Sequence, residues 1–383
     1  MTDGLEEAVA AKTVLSHADA EKGIVWVRGH RIGELVERYG YEGTIALLWE
    51  GFAGDDLTRG GVLAQLGLAR KLAFSRLDDW LPAAQRRPLI EGVRMALAAL
   101  PEDSNAATIA ATLPVAVAAL LRVRQGNAPV APQEALSTAA DFLRMLRGAP
   151  AEKKLVEALD SYLTTVIDNG LGTSTFAARV IISTCASLVS AILGAYGAFT
   201  GVLHGGAPAL ALDMLDAISQ ADDIDAWLDR TLASGERLMG FGHRVFRMRD
   251  PRADILRAAL QQLDPQSARL SFALDVERRV VAALARHKPG RRLEANIEMD
   301  AALLLDAIGL PREALTPVFA IARAPAWIAH ALEQQKTAVG PNGVSRSTTN
   351  SCLLGSLRNR LTMSASQSCA RFARLVGLSA GSR

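Results

Sequence analysis

Val180-Ile-Ile-Ser-Thr-Cys-Ala-Ser-Leu-Val-Ser-Ala-Ile-Leu-Gly-Ala-Tyr-Gly-Ala-Phe-Thr-Gly-Val-Leu203 carries no charge along its whole length and runs directly into His204. By length alone it could cross a bilayer. Its makeup points elsewhere: Ser, Thr, Cys, Ala and Gly recur on every face, and no basic cluster flanks it in the positive-inside manner. Such a stretch reads as a helix buried among other helices, with small residues letting backbones approach closely. A second uncharged stretch, Ser104 to Leu121, reads the same way. Around both, Ala and Leu dominate. Apolar residues recur at helical spacing in Val62 to Phe74, Ala135 to Leu146 and Ala253 to Leu263. Strand signals are few; the best is Ile24-Val-Trp-Val27, closed by Arg28-Gly29, which reads as a small hairpin. Pro and Gly punctuate near 126–132, 205–208, 289–290 and 309–311, marking turns between helices. The expected class is all-α.

The chain has 383 residues, ample for a large core and more than one domain. Forty-two basic against 40 acidic residues leave a net charge of +2, which gives no electrostatic reason to expect nucleic acid or an anionic membrane as partner. Three cysteines, with no CxxC spacing, make neither a disulfide framework nor a metal site. The opening MTDGLEEAVAAK is acidic and lacks an apolar core, so a cytoplasmic protein is expected. The charge is uneven. After Glu333 the last 50 residues contain no Asp or Glu and seven basic residues, so residues 1–333 sum to −5 and the tail to +7.

Four islands could carry chemistry. His204 lies in Gly201-Val-Leu-His-Gly-Gly-Ala207, ahead of the helical run Ala209 to Ile218. Glycines beside a histidine let backbone N–H groups approach a ligand, and a following helix N-terminus favours negative charge; a plain glycine turn is the other reading. His243 lies in Gly240-Phe-Gly-His-Arg-Val-Phe246, with Arg247, Arg249 and Asp250-Pro-Arg252 close behind. A third glycine and a preceding strand are missing, so this is no dinucleotide fingerprint. Guanidiniums clustered behind a glycine loop suit a carboxylate or phosphate; a solvated basic helix start is the alternative. Asn296-Ile-Glu-Met-Asp300 opens the run Ala301 to Pro311, where acids in a first turn ordinarily serve the helix dipole. Arg323 sits in the apolar run Phe319-Ala-Ile-Ala-Arg323, so it needs either a carboxylate of the protein or one from a ligand.

In order and spacing, these islands resemble the citrate synthase family. The resemblance rests on Lys12-Thr13, Glu21 to Ile32, Ser174-Thr-Phe-Ala-Ala-Arg179, His204 to Ala207, Gly240 to Val245, Asp250-Pro-Arg252, Asn296-Ile-Glu298 and Ala322-Arg323. It spans about residues 10 to 334. It implies an all-α, two-domain homodimer: a large domain from 1–205 and 311–383, and a small domain, 206–310, closing over the cleft. The uncharged stretch at 180–203 would then lie in the dimer core. The implied activity is a Claisen-type condensation of an acyl-CoA with a 2-oxo acid. It needs a carboxylate base and two oriented donors, gains of roughly 10²–10⁴-fold for each acid–base group. The resemblance casts Glu298 as the base, His204 as donor to the thioester oxygen and His243 as donor to the ketone. Arg252 and Arg323 match carboxylate-binding arginines, and Asn169 stands at a substrate position. Gly240, Phe241 and Gly242 would lie along CoA, with Arg247 at a CoA phosphate. Acyl-CoA is a co-substrate; no tightly bound cofactor and no metal are expected, since histidines do the polarising.

Three departures bear on the substrate. The base position holds Glu298, where the family most often has Asp. Asn169 replaces a histidine, and an amide donates a hydrogen bond without carrying charge. No Arg-Pro segment follows the last helix, so the tail reads as a replaced or frame-altered C-terminus. Three activities stay in view: citrate or 2-methylcitrate synthesis from acetyl- or propionyl-CoA and oxaloacetate, the same reaction with another oxo acid or acyl-CoA, and a non-catalytic CoA- or carboxylate-binding homologue.

Overall fold

Chain order runs from a three-stranded antiparallel sheet into helices. Strand β1 (Ser16–Asp19) pairs with β2 (Ile24–Val27), which pairs with β3 (His30–Arg31). Val27 faces His30 across a turn in which Arg28 and Gly29 both have positive φ, +50° and +84°. Two left-handed residues make the tight turn whose twist matches the strands, as the Arg28-Gly29 closure implied. The computed structural model describes residues 11–19, 21–202, 204–242, 250–287 and 295–337. Sixteen α-helices occur among them. They are α1 (Ile32–Arg38), α2 (Gly40–Trp49), α3 (Arg59–Ser75), α4 (Leu81–Ala84), α5 (Leu89–Ala98), α6 (Ala106–Arg124), α7 (Thr138–Arg147) and α8 (Lys153–Thr165). There follow α9 (Thr173–Ser183), α10 (Leu188–Phe199), α11 (Ala207–Ser219), α12 (Ile224–Ala233), α13 (Pro251–Leu263), α14 (Ala268–His287), α15 (Ile297–Ala307) and α16 (Leu315–Thr337). The all-α expectation holds, and the described residues through Gln335 pack as one unit.

The uncharged stretch at 180–203 departs from its reading as one buried helix. It is the end of α9, a break, and α10. Ser183 and Thr184 turn their hydroxyls back onto the carbonyls of Val180 and Ile181, each at 2.7 Å. Such local bonds compete with the helical ladder. Cys185 then takes a left-handed φ of +65°, and the Ser187 hydroxyl restarts the chain as N-cap of α10 by accepting from Ser190 N–H at 3.0 Å. Nor is the stretch wholly covered: Val180 and Val202 are 48% and 67% exposed, and Phe176, one helical turn before it, is 41% exposed. The two helices do meet closely. A Cβ on Gly194 would lie 2.0 Å from Ile181 Cδ1, so a side chain there would have to displace it.

The two described helical segments apolar enough to match a membrane span are core helices instead. Residues 106–124 and 312–337 have 78% and 89% of their apolar windows buried. α16 runs through the centre of the fold and carries Pro325 inside it. Proline has no N–H, so the carbonyl four residues back, Ile321, loses its helical partner. The Tyr41 hydroxyl, fully enclosed, donates to that carbonyl at 2.6 Å, and Trp49 Nε1 donates to the Pro325 carbonyl at 3.0 Å. α2 is thus fastened to the proline kink of α16.

This arrangement makes the Tyr41 hydroxyl expensive to remove. Tyr41→Phe keeps the ring and strands a buried acceptor, a loss of about 1–3 kcal/mol. Urea unfolding should show a lower midpoint at unchanged slope; an unchanged midpoint would refute the assignment.

Candidate active site

A cleft of about 630 Å³ gathers residues from three parts of the chain: Asn169 and His204, then Gly240 to Gly242 with Arg252 and Glu298, then Arg323. Among the described residues, the sequence-predicted site therefore converges on one cavity. His243 and Arg247 fall in 243–249 and lie outside the described residues, as does the tail beyond Thr337.

His204 is held from below. Its Nε2 is 2.9 Å from the Ser174 hydroxyl, which also accepts from Trp327 Nε1 at 3.2 Å. An indole N–H only donates, so the serine oxygen receives it and keeps its proton and a second lone pair for His204 Nε2. With the hydroxyl as donor to Nε2, the neutral imidazole carries its proton on Nδ1. Phe199 meets the ring edge-on at 4.9 Å and itself packs on Phe319 and Trp327. Gly205 earns its place through this packing: a Cβ there would lie 2.6 Å from the Phe199 ring and 2.7 Å from its carbonyl. The glycine next to His204 therefore serves the turn. Thr316 Oγ1 on α16 closes it by donating to the Gly205 carbonyl at 2.8 Å.

Glu298 sits in the first turn of α15. The helix is capped by Asn296, whose Oδ1 accepts from Glu298 N–H at 2.9 Å. The same amide donates through Nδ2 to the Gly242 carbonyl at 3.0 Å, and Asn296 N–H donates to the Gly240 carbonyl at 2.9 Å. Gly240 and Gly242 have φ of +84° and +79°, which only glycine adopts without strain. One asparagine thus joins the carboxylate's helix to the glycine loop. Burial raises the Glu298 carboxyl above its ordinary range, with Asn296, the Gly240 backbone and Arg252 offsetting part of the shift. A carboxylate so raised is a stronger base. Asp300, two residues on, is buried against Arg257, which donates to it at 2.8 and 3.0 Å. It is a structural acid, as its first-turn position suggested.

At the other end, Arg252 forks onto Asp250 with bonds of 3.0 and 2.7 Å, both residues buried. A protein carboxylate thus already accompanies this guanidinium. Arg323 donates through Nε to the Val166 carbonyl at 2.9 Å and lies over the Phe319 ring. Burial lowers it to about 10, against the opposing pull of Asp168, so it remains charged at neutral pH. Its protein acid acts from a distance: no carboxylate touches it among the described residues. Asn169 donates its backbone N–H to Asp168 Oδ1 at 2.8 Å, while its own Oδ1 is buried without a hydrogen-bond partner among the described residues. A buried polar atom left open in the cleft that Arg252 and Arg323 also line marks a place for a ligand.

Sequence reasoning assigned no role to Ser174, Trp327 or Asn296. Ser174 and Asn296 lie inside quoted motifs, but nothing local separates a tautomer-setting hydroxyl from a helix-start serine, or a loop-tying asparagine from a cap.

A family profile described as "Citrate synthase, C-terminal domain" matches residues 4–345. A citrate synthase of Haloferax volcanii is 34% identical over 355 residues, covering 86% of this chain and 91% of that protein. A 2-methylcitrate synthase of Mycobacterium tuberculosis is 30% identical over 349 residues, covering 86% of each. Among solved structures, the citrate synthase of Thermotoga maritima superposes with a TM-score of 0.77 at 27% identity, covering 92% of this chain and 96% of that one.

Two substitutions probe the site. Ser174→Ala frees the His204 tautomer and should lower kcat by about 10-fold, the worth of one hydrogen bond to a reacting group, with acyl-CoA KM nearly unchanged. Asn296→Asp keeps the cap but turns a donor into an acceptor facing the Gly242 carbonyl. Thermal stability should hold while kcat falls by about 10- to 100-fold. A fully active Asn296→Asp enzyme would separate loop and base.

Proposed function

The chain belongs to the citrate synthase family, and from that premise we propose that it condenses acetyl- or propionyl-CoA with oxaloacetate, releasing CoA and citrate or 2-methylcitrate. Glu298 takes a proton from the acyl methyl or methylene carbon. His204 donates through Nδ1 to the thioester oxygen as the enol forms. The enol carbon attacks the ketone carbon, and the ketone oxygen takes up a proton from His243. Water then cleaves the thioester. Arg252 and Arg323, with Asn169, hold the oxo-acid carboxylates, while Gly240, Phe241, Gly242 and Arg247 follow CoA. The observation that carries this reading is the half-buried Glu298 carboxylate, raised above its ordinary range, in the same cleft as His204, whose ring Ser174 holds through Nε2.

The cleft draws residues from both sides of 206–310, which supports that segment as a small domain closing on a large one built from 1–205 and 311–383. The exposed Phe176, Val180 and Val202 support a homodimer that covers the α9–α10 region. We place the enzyme in the cytoplasm, where the free, exposed Cys185 stays reduced.

A second reading, another 2-oxo acid or acyl-CoA, gains weight from the uncharged Asn169 and from Arg252 already bound to Asp250. A thiol-release assay across acyl-CoAs and 2-oxo acids decides. Turnover with oxaloacetate supports the first reading and turnover only with other acids the second. Silence with CoA still bound indicates a binding homologue.

Glu298→Gln should abolish condensation and leave acyl-CoA binding within about two-fold, since it removes the base and keeps the shape. Because Glu298 works deprotonated and burial raises its pKa, kcat should fall as pH drops through a value above the ordinary 4.5. An acid limb at or below that value would remove Glu298 from the base role.

A further inference from the structure

Behind Asn169 and Arg323 runs a row of buried polar side chains that the reaction does not consume. Asp168 accepts from Asn169 N–H through Oδ1, and its Oδ2 lies 3.0 Å from His330 Nε2. Across the imidazole, Arg179 Nη1 lies 3.0 Å from Nδ1. A guanidinium only donates, so Nδ1 accepts and Nε2 carries the proton that reaches Asp168. Arg179 goes on to Glu333 Oε2 at 2.6 Å, Gln334 Oε1 at 3.1 Å and the Lys12 carbonyl at 2.8 Å. Glu333 Oε1 in turn accepts from Val14 N–H at 2.8 Å. Asp168, His330, Arg179 and Glu333 are each at most 4% exposed. The row therefore ties the segment entering β1 to the backbone of Asn169.

Burying two carboxylates and a guanidinium in one row is costly, and hydrophobic packing at these positions would often be as stable. What the row supplies is a fixed geometry. Asp168 is also the acid that faces Arg323: burial pushes its carboxyl up, but His330 and Arg323 more than offset this and hold it below the ordinary range.

We propose that His330 is a positioning residue for the oxo-acid end of the cleft, and that through Arg179 and Glu333 the segment Lys12–Val14 is a remote determinant of oxo-acid affinity. This rests on the reading above that Asn169 and Arg323 face the oxo acid. His330 touches no substrate. It fixes the rotamer of Asp168, and Asp168 fixes the Asn169 backbone and balances the Arg323 charge.

The test is steady-state kinetics of the full chain with oxaloacetate varied, alongside thermal midpoints. His330→Leu should raise the oxo-acid KM by about ten-fold or more, the loss of a hydrogen bond to a charged group. The acyl-CoA KM should stay within two-fold. His330→Gln, which still carries an N–H for Asp168, should recover part of the loss. If His330→Leu does not fold, Glu333→Gln keeps the volume, loses the charge, and should raise the same KM alone. A lower thermal midpoint with both KM values unchanged, or moved equally, overturns the proposal and leaves a purely structural row. Arg323→Lys serves as the control. If it leaves the oxo-acid KM unchanged, the placement of the oxo acid fails and the proposal with it; if it raises that KM while no His330 or Glu333 variant does, only the proposal fails.

Discussion

One oxygen, the Ser174 hydroxyl, joins the parts of the site. Trp327 Nε1 donates to it at 3.2 Å, and on its other side it meets His204 Nε2 at 2.9 Å. The row of contacts runs from α16 through α9 to the turn before α11. Three segments distant in sequence have to meet at that oxygen for the His204 ring to be held. The aromatic floor of Phe199, Phe319 and Trp327 and the glycine at 205 are the packing that lets them meet.

α16 bears most of this burden. It supplies the indole that meets Ser174, the arginine that lines the cleft, the threonine that closes the His204 turn and the histidine behind Asp168. A helix so loaded must be placed to within a fraction of an ångström. Its internal proline, with the freed Ile321 carbonyl bonded to Tyr41 and the Pro325 carbonyl to Trp49, fixes where it lies. Energetically the site is expensive: Arg323 and Asp168 both lose their hydration, offset for Asp168 by His330 first and Arg323 second, and for Arg323 by Asp168.

The site was legible in the sequence where an unusual residue sat in an unusual setting. His204 among glycines and Arg323 within an apolar run each violate local expectation, while Glu298, an ordinary first-turn acid by its local pattern, was marked by the family resemblance; all three reach the cleft. Helices with clear periodicity, such as α3, α7 and α13, were legible for the ordinary reason that burial follows spacing. The break in the uncharged stretch was not. Its cause is two hydroxyls choosing carbonyls of the preceding turn, a choice that hydrophobic patterning does not register. Arg252 was read as a ligand for substrate alone, because its pairing with Asp250, two residues earlier, depends on a rotamer that sequence does not show. Partners such as Trp327 and Ser174 are 153 residues apart, beyond the reach of any local pattern.

That separation has a consequence on the ribosome. Glu333 follows Arg179 by 154 residues, so at about 5–20 residues per second the guanidinium emerges roughly 8–30 s before its carboxylate exists. Throughout that interval α9 cannot settle into its final burial, because an unpaired interior arginine costs several kcal/mol. Its apolar Ala178 and Ile182, buried in the folded chain, remain on display meanwhile, and the segment entering β1, made earlier still, has no Glu333 to bind. The nascent chain thus keeps part of its apolar surface uncovered until its last described helix arrives.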